Sequence, residues 1–141
     1  MRSFILKSIL AVLTVIAVAS CSTSSKLNAV KTLTSAPWEL STINGQTADV
    51  NQFRTGIPFL LFEKGGLLKG STGCNNFNGK FDLNKADLSL DAGAMTRMAC
   101  QGNGEQTFLT ALKNVKKMKV EGDKLILTDG LTELMTLKQK K

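Results

Sequence analysis

Three thiols, Cys21, Cys74 and Cys100, are the side chains of this sequence whose spacing could do chemistry. The chemistry open to them is lipidation, disulfide formation, metal binding or redox exchange. There is no histidine and no tyrosine among the 141 residues. The missing histidine removes the commonest general base and the commonest metal ligand together.

Cys21 closes the stretch Val18-Ala19-Ser20-Cys21, which has the pattern of a lipobox: a branched apolar residue, two small residues, then cysteine. Small residues suit a peptidase that must draw the backbone into a narrow groove. Upstream, Arg2 and Lys7 precede an almost unbroken apolar run from Ile9 to Ala19. That run is shorter than the about 20 apolar residues a membrane-spanning helix needs, and it has the length of a signal-peptide core. Residues 1–20 are therefore read as a lipoprotein signal peptide and Cys21 as the lipidated residue. The alternatives are an uncleaved N-terminal anchor and a secreted protein with an incidental cysteine. Two or three acyl chains, each buried CH₂ worth ~0.8 kcal/mol, would make the membrane a stable partner. Ser22 stands where aspartate would signal inner-membrane retention, so an outer-membrane location is expected if the host is Gram-negative.

With Cys21 assigned, Cys74 and Cys100 remain as a pair 26 positions apart. In an oxidising compartment they are expected to form a disulfide. Such a loop is worth about 3–4 kcal/mol in the chain-entropy model. A two-thiol zinc or redox site is the alternative. Structural zinc wants four ligands, mostly Cys or His, and redox pairs usually lie in a CxxC motif, which is absent. No metal and no cofactor are expected.

Other patterns carry less. Lys64-Gly65-Gly66-Leu67-Leu68-Lys69-Gly70-Ser71-Thr72-Gly73 is glycine-rich but lacks GxxxxGK[ST]. Asp82, Asn84 and Asp87 lack the frame of a calcium loop. Ser and Thr are plentiful but without a histidine partner or an SxxK signature. Without residues 1–20, 16 basic residues face 11 acidic ones. The lysines are spread out, and the clusters Lys116–Lys117–Lys119 and Lys138–Lys140–Lys141 are short, with no interleaved aromatics to stack on bases. A solvated basic surface is the reading; nucleic acid is not an expected partner.

The elements that must position these residues are short strands and one helix. Residues 21–36 are mostly small or polar and are read as a flexible lipid-proximal tether. From Pro37 onward, Trp38–Ile43 reads as a strand ending in an Asn44-Gly45 hairpin turn. Ile57–Phe62, Leu67–Ser71, Lys80–Leu83 and Asp87–Leu90 follow, the last two as a hairpin around Asn84-Lys85-Ala86. Asn103 is a plausible N-cap with Gln106 in capping-box position. Phe108, Leu109, Leu112 and Val115 then share one helical face. Lys116–Val120, Leu125–Thr128 and Leu131–Leu137 complete the series. The expected fold is mainly β (α+β), a mostly antiparallel sheet curling over one helix.

The middle of the chain is more specific than its periodicity. Gly73-Cys74-Asn75-Asn76-Phe77-Asn78-Gly79-Lys80-Phe81, then Met95-Thr96-Arg97-Met98-Ala99-Cys100, then Glu105, Phe108 and Leu109, resembles the META/HslJ domain family. Trp38-Glu39-Leu40, Ile43-Asn44-Gly45 and Leu125-Ile126-Leu127 fit the same pattern, so the resemblance spans about residues 37–138. Phe81 departs from it, since the family often has tyrosine there. The resemblance implies a partly open antiparallel β-barrel with a helix, similar in shape to lipid-binding pilotins. It also implies a cysteine pair at Cys74 and Cys100 and no established catalytic activity. Members are linked to heat shock, novobiocin resistance and motility.

Gly73, Asn75, Phe77, Gly79 and Met98 are read as structural motif residues. The two glycines should meet positive φ or a close backbone, the asparagine should close a turn, and Phe77, Phe81 and Met98 should point inward. The expected function is that of a non-enzymatic envelope lipoprotein, an accessory or binding module for envelope integrity or stress response with an envelope protein as possible partner. A binder of lipid or another apolar molecule in a half-open barrel is the alternative, and a hydrolase without a recognisable motif is the second.

Overall fold

The computed structural model describes residues 28, 30–83 and 87–141. Residues 1–20, expected to be a signal peptide, Cys21, and the turn expected at Asn84-Lys85-Ala86 lie outside the described residues. A compact unit runs from Thr32 to Lys141.

Nine strands form one antiparallel sheet: β1 Trp38–Ile43, β2 Gln46–Thr47, β3 Phe59–Glu63, β4 Leu67–Ser71, β5 Asn76–Asp82, β6 Ser89–Met95, β7 Lys117–Glu121, β8 Lys124–Thr128 and β9 Glu133–Gln139. Among the described residues the main helix, α1, spans Gly104–Asn114 between β6 and β7, while a short helical segment ends at Leu33 and a 3-10 turn covers Val50–Gln52. The spatial order is β6-β5-β4-β3-β1-β9-β8-β7, with β2 paired to β1 alone. Alternation explains the strands: Leu60 and Phe62 of β3, or Leu125 and Leu127 of β8, turn inward while their neighbours face out. Asn44 and Gly45, at φ 48° and 77°, make the expected tight turn between β1 and β2.

The sheet curls until its two edge strands meet at one corner. Just before β6, the Leu88 N–H donates to the Lys116 carbonyl, just before β7, at 2.6 Å. The Asp87–Lys117 ion pair stands beside this bond at 3.0 Å. The half-barrel between is filled by α1, whose Phe108, Ala111 and Leu112, with Val115 just beyond, join Trp38, Leu60, Phe62, Leu68, Phe77 and Leu137 in one apolar cluster. Phe62 and Phe81 meet edge to face at 5.1 Å. The fold is thus the expected curled antiparallel sheet on one helix.

Four expectations of local structure are corrected. The tether assigned to 21–36 cannot extend past Lys31, because the folded unit starts at Thr32. Leu33 is fully buried in the core, its carbonyl accepts from Trp38 Nε1 at 2.8 Å, and the Thr32 carbonyl accepts from Gln139 Nε2. The hairpin strands expected to end at Leu83 and Leu90 are longer, with β6 running on to Met95. Asp91-Ala92-Gly93-Ala94 has no strand-forming side chains of its own, and pairing with β5 imposes the conformation.

Asn103 makes no side-chain cap bond, and Gln106 reaches forward to Thr110 Oγ1 at 3.3 Å, so the capping box does not form. Finally, β9 begins at Glu133 rather than Leu131. Asp129 Oδ1 accepts from the N–H groups of Leu131 and Thr132, folding a turn that leaves Leu131 wholly exposed. Those two donors, Thr132 first, hold the exposed Asp129 carboxyl below its usual value. The turn is therefore favoured above the ordinary carboxylate value and released as pH falls through the depressed one.

Leu33→Ala should destabilise the domain by about 2–5 kcal/mol, as core truncations do. Urea unfolding measures it, and a change near zero would return Leu33 to the tether.

Candidate functional site

Thr72, Gly73, Cys74 and Asn75 connect β4 to β5, whose ends pair at Ser71 and Asn76. The turn closes on itself, as the Thr72 N–H donates to the Asn75 carbonyl at 2.8 Å. Thr72 Oγ1 meanwhile accepts from the N–H groups of Asn75 at 2.9 Å and Cys74 at 3.3 Å. Gly73 meets both conditions expected of it. Its φ is +81°, and a Cβ there would collide with the Gly56 carbonyl as well as the Phe53 ring. Gly79 meets only the second, because β6 runs so close that a Cβ would strike the Asp91 carbonyl.

Asn75 is 3% exposed, and every hydrogen-bonding position of its amide is used. Oδ1 accepts from the Met98 N–H at 2.7 Å and Thr96 Oγ1 at 2.8 Å. Nδ2 donates to the Met98 carbonyl at 3.1 Å and to Glu105 Oε1 at 3.0 Å. Turning the amide over would set donors against donors, so the network itself fixes its orientation. Thr72 Oγ1 has one proton, and the shorter, charge-assisted bond to Glu105 Oε1 at 2.7 Å takes it in preference to the Asn75 carbonyl at 3.2 Å. The β4–β5 turn, segment 96–98 and the first turn of α1 are tied together by these bonds.

The Cys74–Cys100 disulfide crosses the same junction, with Cα atoms 6.1 Å apart. It consumes the two thiols a zinc site would have needed. Arg54, preceding β3, donates from Nη1 to the Ala99 carbonyl at 3.2 Å and braces the segment from outside.

Met98 does not join Phe77 inside as expected: its side chain is 49% exposed. Asn75 grips the Met98 backbone on both sides, and that fixed backbone turns the thioether outward. Met95, opposite Phe77 in the sheet, takes the inward position instead. Phe77 itself is buried as expected. Thr72, Thr96, Arg54 and Phe53 were not singled out from the sequence. A threonine before Gly-Cys-Asn was a usable turn signal; nothing local marks the other three.

Beside the disulfide lies a cleft of about 300 Å³, bordered by Phe53, Arg54, Met95, Gln101, Glu105 and Leu109. Its walls are part apolar and part polar, and one carboxylate and one guanidinium stand on its rim. A second depression of about 400 Å³ opens between the outer face of α1 and Asn44, and it is shallower and more open.

A family model described as META domain matches residues 31–141. Three solved structures share the fold. One, an NMR structure, is 24% identical with a TM-score of 0.60 and covers 78% of this chain and 93% of its own. An NMR structure of a protein from Burkholderia xenovorans is 24% identical with a TM-score of 0.57, covering 81% and 88%. A crystal structure of a DUF4847 family protein from Bacteroides vulgatus is 15% identical with a TM-score of 0.56, covering 77% and 95%. No curated protein matches the sequence.

Asn75→Ala should destabilise the domain by about 3 kcal/mol, since it removes four hydrogen bonds made from a buried side chain. Thermal unfolding reads this, and a loss below about 1 kcal/mol would mean the amide is not the hub. Cys74→Ser should cost about 3–4 kcal/mol under oxidising conditions and almost nothing once the wild type is reduced. Equal stability of both proteins in both conditions would remove the disulfide from the account.

Proposed function

The chain belongs to the META domain family, and from that premise we propose that it is a non-enzymatic lipoprotein of the bacterial cell envelope, held by lipid on Cys21. It serves there as an accessory or binding module that supports envelope integrity under stress. The observation that carries this reading is the Cys74–Cys100 disulfide inside the matched domain. Such bridges persist in oxidising compartments, the destination that the apolar run Ile9–Ala19 and the Val18-Ala19-Ser20-Cys21 pattern also indicate.

A binding rather than catalytic role agrees with how the motif spends its polar groups. Asn75, Thr72 and Thr96 bond to one another and to nearby backbone and Glu105. This is scaffolding chemistry. The barrel interior offers little to an apolar ligand, since Trp38, Phe62, Phe77 and Phe108 fill it and are each at most 2% exposed. The working surface is therefore on the outside of the half-barrel. In a Gram-negative host, Ser22 after Cys21 favours the outer membrane as the anchoring site.

Intact mass spectrometry of the protein from its native membranes should show an acylated chain starting at Cys21 and lacking two hydrogens for the disulfide. Cys21→Ala should move the protein to the soluble fraction with its melting unchanged. An unmodified terminus together with two alkylatable thiols would sink the reading.

A further inference from the structure

The cleft beside the disulfide contains a carboxylate that is oriented before any ligand arrives. Glu105 Oε1 is held by Thr72 Oγ1 at 2.7 Å and Asn75 Nδ2 at 3.0 Å. Its other oxygen, Oε2, accepts no hydrogen bond from the described residues, and the side chain borders the cleft. A carboxylate fixed through one oxygen loses little entropy when the other binds a cation.

On the same cleft stands Arg54, anchored through Nη1 to the Ala99 carbonyl. Its remaining N–H groups form no bond to the described residues and suit a planar anion. Phe53, Met95 and Leu109 supply apolar wall, and Gln101 supplies an amide. At about 300 Å³ the cleft is at the small end of ligand sites.

We propose that this cleft binds a free amino-acid zwitterion with an aliphatic side chain. The ammonium group pairs with Glu105 Oε2, the carboxylate pairs with Arg54, and the side chain rests on Phe53 and Leu109. One positive and one negative group on the protein match the two charges of such a ligand, whereas a simple cation or anion would meet a like charge. The Asn75 and Thr72 bonds hold the carboxylate, and the Ala99 carbonyl, next to Cys100 of the disulfide, holds the guanidinium. This names the ligand class of the binding module proposed above and rests on that reading only in treating the chain as a binding protein.

The test is a titration of the mature protein in detergent micelles with leucine, followed by amide NMR shifts. Saturable shifts at Gly73, Cys100, Glu105 and Leu109 are expected. Leucinamide and N-acetylleucine, each lacking one of the two charges, should bind at least about tenfold more weakly, the loss of one charged hydrogen-bonded contact. Glu105→Gln keeps Oε1 as an acceptor and removes the charge, and it should weaken leucine by a similar factor. Arg54→Gln should do the same while lowering the melting temperature only slightly, since the bond it loses to the Ala99 carbonyl is exposed.

Should Glu105→Gln unfold, the two analogues on the wild type and Arg54→Gln still decide the matter. Absence of saturable shifts up to about 10 mM, a range covering even weak small-ligand binding, overturns the proposal. So does equal binding of leucine and both analogues. A chain that is acylated by intact mass yet silent to leucine loses the ligand and keeps its anchor. One that binds leucine with an unmodified terminus keeps the site and loses the envelope reading.

Discussion

The side-chain amide of Asn75 has four hydrogen-bonding positions, and all four are taken by groups from segments distant in the chain. Met98 contributes both its N–H and its carbonyl, Thr96 a hydroxyl, and Glu105 a carboxylate oxygen. Asn75 itself is buried, so a bond lost at its amide leaves a costly orphan there. The Cys74–Cys100 disulfide limits how far the same segments can separate, but a single covalent bridge leaves their relative orientation free. The amide sets orientation as well. Together they define where the segment after β6 runs and where α1 begins.

That placement governs the rest of the barrel. α1 leaves the junction at Gly104 and packs Phe108, Ala111 and Leu112 against the sheet interior. Because the helix occupies the interior, the sheet need not close fully. Among the described residues its edges meet where Leu88 bonds to Lys116 and Asp87 pairs with Lys117. The cleft next to the junction shares Glu105 with it, held by Thr72 and Asn75.

Most of the strands were legible because their side chains alternate and their turns carry Gly or Asn. Trp38–Ile43 and Leu67–Ser71 have the bounds their patterns predict. Failures cluster where a segment's conformation is imposed from outside. Asp91–Met95 carries no strand signal and is extended because β5 lies beside it. Leu33 sits among small and polar residues, so the 31–36 segment has no period, yet its single apolar side chain fills the space beneath Trp38. Met98 was expected to point inward with Phe77 and Phe81. Which way a side chain points from an irregular segment depends on how the backbone is held, and Asn75 holds it.

Sequence alone determined the composition of the problem: three cysteines, an apolar run ahead of Cys21, alternating strands, one amphipathic helix and a family motif. These are readable because local rules of spacing and residue type govern them. Only the tertiary structure decided that Glu105 has one oxygen engaged and one unspent, that Arg54 shares its cleft, and that the barrel interior is full. Those facts depend on contacts between residues far apart in the chain, and no local pattern encodes the direction in which such side chains meet.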